Sequence, residues 1–324
     1  MQQFGYIGTY TTGRSQGIYR FLWDTETGMM EEPELFAAVR HPKCIARKGN
    51  VLATAIALEG RAGVALWDAK HPHTPPISMY CPEHQPPCHV RFSGSSLLAT
   101  NYHEGLFTVY RLDSHNLSCA SQIACGEKAG CHQSLSRRGY ILVPCLEQDQ
   151  VRIFDRKFSP RGVILFPAGS GPRHGVFDPR DRTLWMVTER SHELYHFVFA
   201  DTRFHELDCV PILSREEVGE DVFTTSTTAA IRLSPDGRFL YVSTRGADVL
   251  TVFAIDEISA QRIQQIPCGG RHPRDFVLSE DGRFLLVLCR DSDDLFCLPR
   301  DPQTGLLGEC VSHISVPEGS SICL

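Results

Sequence analysis

Ser234-Pro-Asp-Gly-Arg-Phe-Leu-Tyr241 returns 45 residues later as Ser279-Glu-Asp-Gly-Arg-Phe-Leu-Leu286, with six of eight positions identical. A return at that distance marks an array of structural units. Asp-Gly between apolar runs supplies the positive φ angles of a tight hairpin, and Phe-Leu-Tyr-Val is β-rich and apolar on both faces. Each copy therefore reads as a turn feeding a strand buried in the middle of a sheet. A short polar loop and a second, alternating strand follow, Leu250-Thr-Val-Phe-Ala-Ile255 after the first copy and Leu295-Phe-Cys-Leu298 after the second.

Upstream, the same join recurs at Ile18, Val64, Phe107, Val151 and Leu194. Successive separations are 46, 43, 44, 43, 56 and 45 residues, the long one holding an acidic insertion around Arg215 to Asp221. Seven such units consume the 324 residues. Asp24-Thr-Glu-Thr-Gly28 and Asp301-Pro-Gln-Thr-Gly305 fall six residues after their strand starts and mark the next hairpin turn. Four short strands per unit at this period predict an all-β fold, a seven-bladed β-propeller of four-stranded antiparallel blades, with residues 1–324 as one domain. No stretch shows sustained helical periodicity, and the Pro-rich segment His71 to Pro87 reads as a connection between blades. The first unit opens on a middle strand, Phe4 to Thr9. Its innermost strand is expected from the C-terminal Ser320-Ser-Ile-Cys-Leu324, which would close the ring.

With 32 Lys and Arg against 38 Asp and Glu, the net charge of −6 argues against a sequence-independent grip on nucleic acid or anionic lipid. No window approaches the roughly 18 apolar residues of a membrane helix, and Met-Gln-Gln-Phe-Gly-Tyr-Ile-Gly has neither part of a signal peptide. The expectation is a soluble, cytoplasmic monomer without a nucleic-acid or membrane partner. Thirteen cysteines, an odd number with no Cys-x-x-Cys pair, read as reduced and mostly buried thiols.

A propeller brings its inner-strand starts, and the loops joining second to third strands, onto one face around the channel. Six starts stack: Lys43-Cys44, Cys88-His89, Cys131-His132, Arg173-His174, Ala229-Ala230 and Arg274-Asp275. His89, His132 and His174 share a column. The loops add Glu59, His103-Glu104, Glu147, Glu189-Arg190, Arg245 and Arg290. Such a group of Arg, His and Glu in an acidic protein suits a small anion drawn in by a local field. A protein-binding platform, the competing class, would favour exposed aromatics there. Neighbouring blade starts stand too far apart for the histidines to hold zinc, so no metal is expected. Nucleotide-binding glycine loops, zinc-protease helices and nucleophile elbows are missing from the sequence, and no cofactor is expected.

Tyr6-Ile-Gly-Thr-Tyr-Thr11, Gly171-Pro-Arg-His174, Ser234 to Gly246 and His272-Pro-Arg-Asp-Phe276 together resemble the lactonase propeller family, from about residue 4 to 324. That family contains the bacterial propeller-type 6-phosphogluconolactonases and the fungal carboxymuconate cyclases. The resemblance implies a carboxylic-ester hydrolase opening a sugar lactone, most plausibly 6-phosphogluconolactone in the pentose phosphate pathway. A lactonising isomerase acting on a muconate-like acid is the neighbouring activity. Carried over motif by motif, it implies His132, Arg173, Glu189 and Arg245 as the catalytic group. His89, His174 and Arg274 would contact substrate. Thr188 and Thr244 stand where the family usually has Asn, which bears on substrate preference. Either His132 or Glu189 supplies the base, with His132 having the more suitable ordinary pKa, near 6.5. The two arginines face oxyanion or substrate anion.

Overall fold

Both copies of the repeat fold into the same turn. Ser234 Oγ donates to Asp236 Oδ1 at 2.5 Å and accepts from the Phe239 amide at 3.0 Å, while the Gly237 amide donates to the Ser234 carbonyl at 2.9 Å. In the second copy, Ser279 Oγ donates to Asp281 Oδ1 at 2.7 Å, the Phe284 amide donates to Ser279 Oγ at 3.0 Å, and the Gly282 amide reaches the Ser279 carbonyl at 2.9 Å. Gly237 and Gly282 have φ of 73° and 69°, a left-handed conformation that a Cβ would strain. The turns release Phe239–Arg245 and Phe284–Cys289, strands buried at every residue.

The computed structural model describes residues 1–114, 116–137, 139–179, 183–200 and 203–324. They form seven four-stranded antiparallel sheets, the blades of a β-propeller. In chain order, blade 2 begins at Ile45–Lys48, blade 3 at His89–Ser93, blade 4 at Leu135–Arg137, blade 5 at Pro172–Phe177, blade 6 at Thr227–Leu233 and blade 7 at Pro273–Leu278. Blade 1 takes its inner strand from Gly319–Cys323, which pairs antiparallel with Gln2–Thr9 (Tyr6 with Cys323, Ile7 with Ile322). The ring is thus closed by the C-terminal strand.

The core lies between the blades. Seven apolar clusters each join two neighbours, from Tyr6, Ile18 and Phe36 against Leu52, Ile56 and Trp67 between blades 1 and 2, around to Ile322, Phe21 and Trp23 against Leu286, Leu288 and Ile314 between blades 7 and 1. Ile18, Val64, Phe107, Val151, Leu194, Leu250 and Leu295, the residues that set the repeat, all have zero exposure. Burying each stabilises by roughly 1.5–3 kcal/mol, which is why the period is written in them.

Two segments differ from the sequence reading. The Pro-rich stretch is not all connection: Ser78–Glu83 is the outer strand of blade 2, paired through Val64 with Tyr80 and Ala65 with Met79. Mostly exposed, it lacks the apolar run that reveals inner strands. The acidic insertion folds into two short helices, Arg215–Val218 and Glu220–Thr225, too brief to show a helical period. His192 pins the second, its Nε2 3.1 Å from the Phe223 carbonyl and its Nδ1 2.9 Å from Thr228 Oγ1.

Candidate active site

Bulges set the site. Register shifts between Pro172 and His174, between Thr228 and Ile231, between Pro273 and Asp275, and opposite Gly8 and Thr9 leave Arg173, Ala229-Ala230, Arg274 and Ser320 unpaired in the ladder. An extra residue in one strand re-aims its side chain and ends regular pairing. Lys43, Cys88, His89, His132, Arg173, His174, Arg274 and Ser320 accordingly line a central cavity of about 530 Å³.

Arg173, which lines that cavity, has its Nε 2.7 Å from Glu189 Oε2, and Arg245 Nη2 stands 2.9 Å from the same oxygen. The Arg173 Nε–H is not aimed along its contact, so charge rather than a directed hydrogen bond holds that pair. Backbone carbonyls fix the guanidinium groups: Arg173 Nη1 donates to Ala229 at 2.5 Å, and Arg245 donates to Thr227 at 3.2 Å and Thr228 at 3.4 Å. The side chains of Arg173 and Arg245 are 2% and 9% exposed, that of Glu189 19%, so the carboxylate is what an incoming molecule meets most openly. Burial pushes Glu189 up, but the charges of Arg173, Arg245 and Arg274 outweigh it and hold the carboxyl below its ordinary range. Burial, then repulsion by Arg245, pushes Arg173 down to about 9, still protonated at neutral pH.

The histidines form a chain with a direction. His174 Nδ1 lies 3.4 Å from Arg173 Nη1, and an arginine nitrogen can only donate. His174 therefore carries its proton on Nε2, 3.0 Å from His132 Nδ1. His132 accepts there and is left protonated on Nε2, a tautomer assigned by hydrogen-bond polarity. Burial, then the Arg173 charge, holds both imidazoles well below their ordinary pKa, so both are neutral as the chain requires. His89 stands edge-on to His174, ring centroids 6.2 Å apart, with a buried Nδ1 that has no partner. Burial, then Arg91, brings its pKa to about 3. His132 and His174 thus spend ring nitrogens on each other. Among the described residues the group with metal-ligand spacing is Cys125, Cys131 and Cys145, three buried thiols within 4.8 Å of one another.

Of the other loop residues, Glu147 joins Arg190 at 2.6 Å and accepts from the Tyr102 hydroxyl, and Tyr102 packs 6.0 Å from the His132 ring. Glu104 instead receives the His84 and Gln85 amides and holds a loop, Arg290 pairs with Asp291 at 2.7 Å, and Glu59 is exposed at a hairpin tip. Arg274 touches neither Glu189 nor the histidines and rests 5.2 Å over the Tyr10 ring. Tyr102 and Tyr10 fall outside the group of Arg, His and Glu expected from the sequence, although Tyr10 lies within the Tyr6-Ile-Gly-Thr-Tyr10 motif. At the two departures from the family pattern, Thr188 Oγ1 meets Ser191 Oγ at 2.8 Å, whereas Thr244 Oγ1 is buried without a partner.

The model of the family described as "Lactonase, 7-bladed beta-propeller" matches residues 4–324. A 6-phosphogluconolactonase of Bacillus subtilis is 29% identical, covering 97% of this chain and 95% of its own. The crystal structure of a putative 6-phosphogluconolactonase from Bacteroides uniformis superposes with a TM-score of 0.87 at 25% identity, covering 99% of both chains. The Pseudomonas aeruginosa periplasmic gluconolactonase PpgL shares the fold, with a TM-score of 0.86 at 24% identity, covering 100% of this chain and 99% of its own. With its seven closed blades and a match over nearly its whole length, the chain belongs to the lactonase family of seven-bladed β-propellers.

Proposed function

We propose that the protein hydrolyses 6-phosphogluconolactone to 6-phosphogluconate, as a step of the pentose phosphate pathway. The observation that carries this is Glu189 held between Arg245 and Arg173, the latter lining a cavity with further cations and histidines. A lactone carbonyl that becomes an oxyanion needs fixed positive charge, and the attacking water needs an acceptor for its proton. Water bonds to the carbonyl carbon and its proton passes to Glu189. Arg173 and Arg245, held by their backbone carbonyls, face the oxyanion, and as its negative charge develops it offsets theirs at Glu189, whose basicity rises. The ring C–O bond then breaks and the departing oxygen takes the proton from Glu189. His132, with a proton on Nε2, is a hydrogen-bond donor to the oxyanion rather than the base.

The name of the Bacillus subtilis relative supports the phosphorylated substrate. A monomer whose whole chain works as one domain, without cofactor or metal, goes with the proposal. So does a cytoplasmic setting, where phosphorylated sugars are held; the relative named as periplasmic marks the competing location. No helix among the described residues is long and apolar enough to cross a membrane. Proton release from a panel of phosphorylated and plain sugar lactones tests the reaction. Opening of 6-phosphogluconolactone well above its spontaneous rate is expected, and a panel opening only at spontaneous rates would sink it.

A further inference from the structure

Of the cations that line the cavity, Arg173 is paired with Glu189 and Arg232 with Asp275, while Arg91 and Arg137 donate to backbone carbonyls of Ser134, Asp178 and Pro179. Lys43 and Arg274 line it too, with no carboxylate partner among the described residues, Arg274 resting on the face of Tyr10. Both are half-buried, where an unmatched charge is held at a cost unless an anion arrives.

They flank one strand. The closing strand Gly319–Cys323 is bound to Lys43 on one side, through Ser320 Oγ donating to its carbonyl at 2.9 Å. On the other it is bound beside Arg274, through the Ile322 amide donating to Asp275 Oδ2 at 3.3 Å. Blades 2 and 7 thus present their cations across the inner edge of blade 1. Arg274 is near enough for its charge to be felt at Glu189, Arg173, Arg245 and His132, and that of Lys43 is felt at His103 and at Cys88, whose thiol also feels Arg173.

We infer that Lys43 and Arg274, on either side of the closing strand, form a subsite for a phosphate monoester, which seats the far end of the substrate while its carbonyl meets Arg173 and Arg245. This rests on the proposed lactonase reaction. A phosphate monoester carries about −1.5 to −2 charges at neutral pH, matching two cations better than a carboxylate would. In a 6-phosphorylated lactone the phosphate and the carbonyl carbon lie at opposite ends, so cations other than Arg173 and Arg245 are needed to hold the phosphate. The unpartnered Nδ1 of His89, in the same cavity, is left to meet a substrate hydroxyl.

Calorimetric binding of 6-phosphogluconate and D-gluconate, with inorganic phosphate as competitor, tests the subsite apart from catalysis. The full-length protein should prefer 6-phosphogluconate by tenfold or more, and Lys43→Gln and Arg274→Gln should each cut that preference by roughly tenfold, the melting temperature confirming the fold. The kcat/KM ratio of phosphorylated to plain lactone should fall in step, whereas Arg173→Lys should lower both rates and leave the ratio. An unchanged preference in both variants, or equal losses for the two ligands, overturns the subsite. If no lactone is opened but the preference exists and depends on Lys43, the reaction is wrong and the phosphate site stands.

Discussion

The turns at Ser234 and Ser279 make the same three hydrogen bonds, whereas the bulges at Arg173 and Arg274, equally matched by position in blades 5 and 7, lead to unlike surroundings. Arg173 is 2% exposed and locked to Glu189, His174 and the Ala229 carbonyl; Arg274 faces the cavity, resting on the Tyr10 ring with no carboxylate partner among the described residues. Repetition tracks what each blade needs in order to pack, and loss of repetition tracks what the centre does to a ligand. Substitutions at the turns should therefore act on stability, and those at the bulges on turnover.

After Glu189, the largest expected effect is at His132. As an oxyanion donor it should cost about 10² to 10³ in kcat when replaced by Ala. His132→Gln, which keeps an N–H donor, should recover part of that loss. Equal loss in both variants would return His132 to the role of base. Next comes the ring itself: deleting residues 319–324 removes the inner strand of blade 1 and strips Leu286 and Leu288 of Ile322. A fall in melting temperature of about 10 °C or more is expected, with one cooperative transition, because an opened ring exposes a sheet edge and two blade faces. An unchanged melting temperature would mean that closure contributes little.

Acid should destabilise the centre before the rim. His89, His132 and His174 all have folded pKa values below the ordinary value near 6.5, so below that pH the native state binds fewer protons than the unfolded chain and stability falls as pH drops. Glu189, also depressed, contributes stability above the ordinary carboxylate range that is lost as pH falls through its folded value. The melting temperature should decline from pH 7 to pH 5 and steepen below; a flat profile over that window would contradict neutral buried histidines. The smallest effect belongs to the turns. Ser234→Ala and Ser279→Ala each remove two side-chain hydrogen bonds worth about 1 kcal/mol apiece, so they should lower the melting temperature by a few degrees alike. Kinetics should not change, and a change in kcat/KM in either variant would break the division between rim and centre.

That division also explains what could be read from the chain. The repeat was legible because residues such as Ile18, Val64 and Leu250 face the same apolar neighbour in every blade, so one pattern recurs. Closure was legible because blade 1 lacked a strand that the C-terminal segment could supply. Ser78–Glu83 was not, since an outer strand is held by its ladder and needs no apolar run. Candidate site residues could be gathered on one face from topology alone, but their partners could not. Nothing in Gly-Pro-Arg-His says that Arg173 is the bulged residue, or that His174 passes its proton toward His132. Those follow from register, which one shifted residue decides.

Glu189→Gln, assayed beside the wild type for proton release from 6-phosphogluconolactone, tests most directly whether the Glu189–Arg173–Arg245 cluster opens a lactone. The amide keeps the shape between Arg173 and Arg245 but removes the charge and the proton acceptor. A fall in kcat of about 10² to 10⁴, with binding of 6-phosphogluconate retained, is the expected result. Full activity in Glu189→Gln would contradict it and leave the carboxylate as no more than an ion-pair partner between blades.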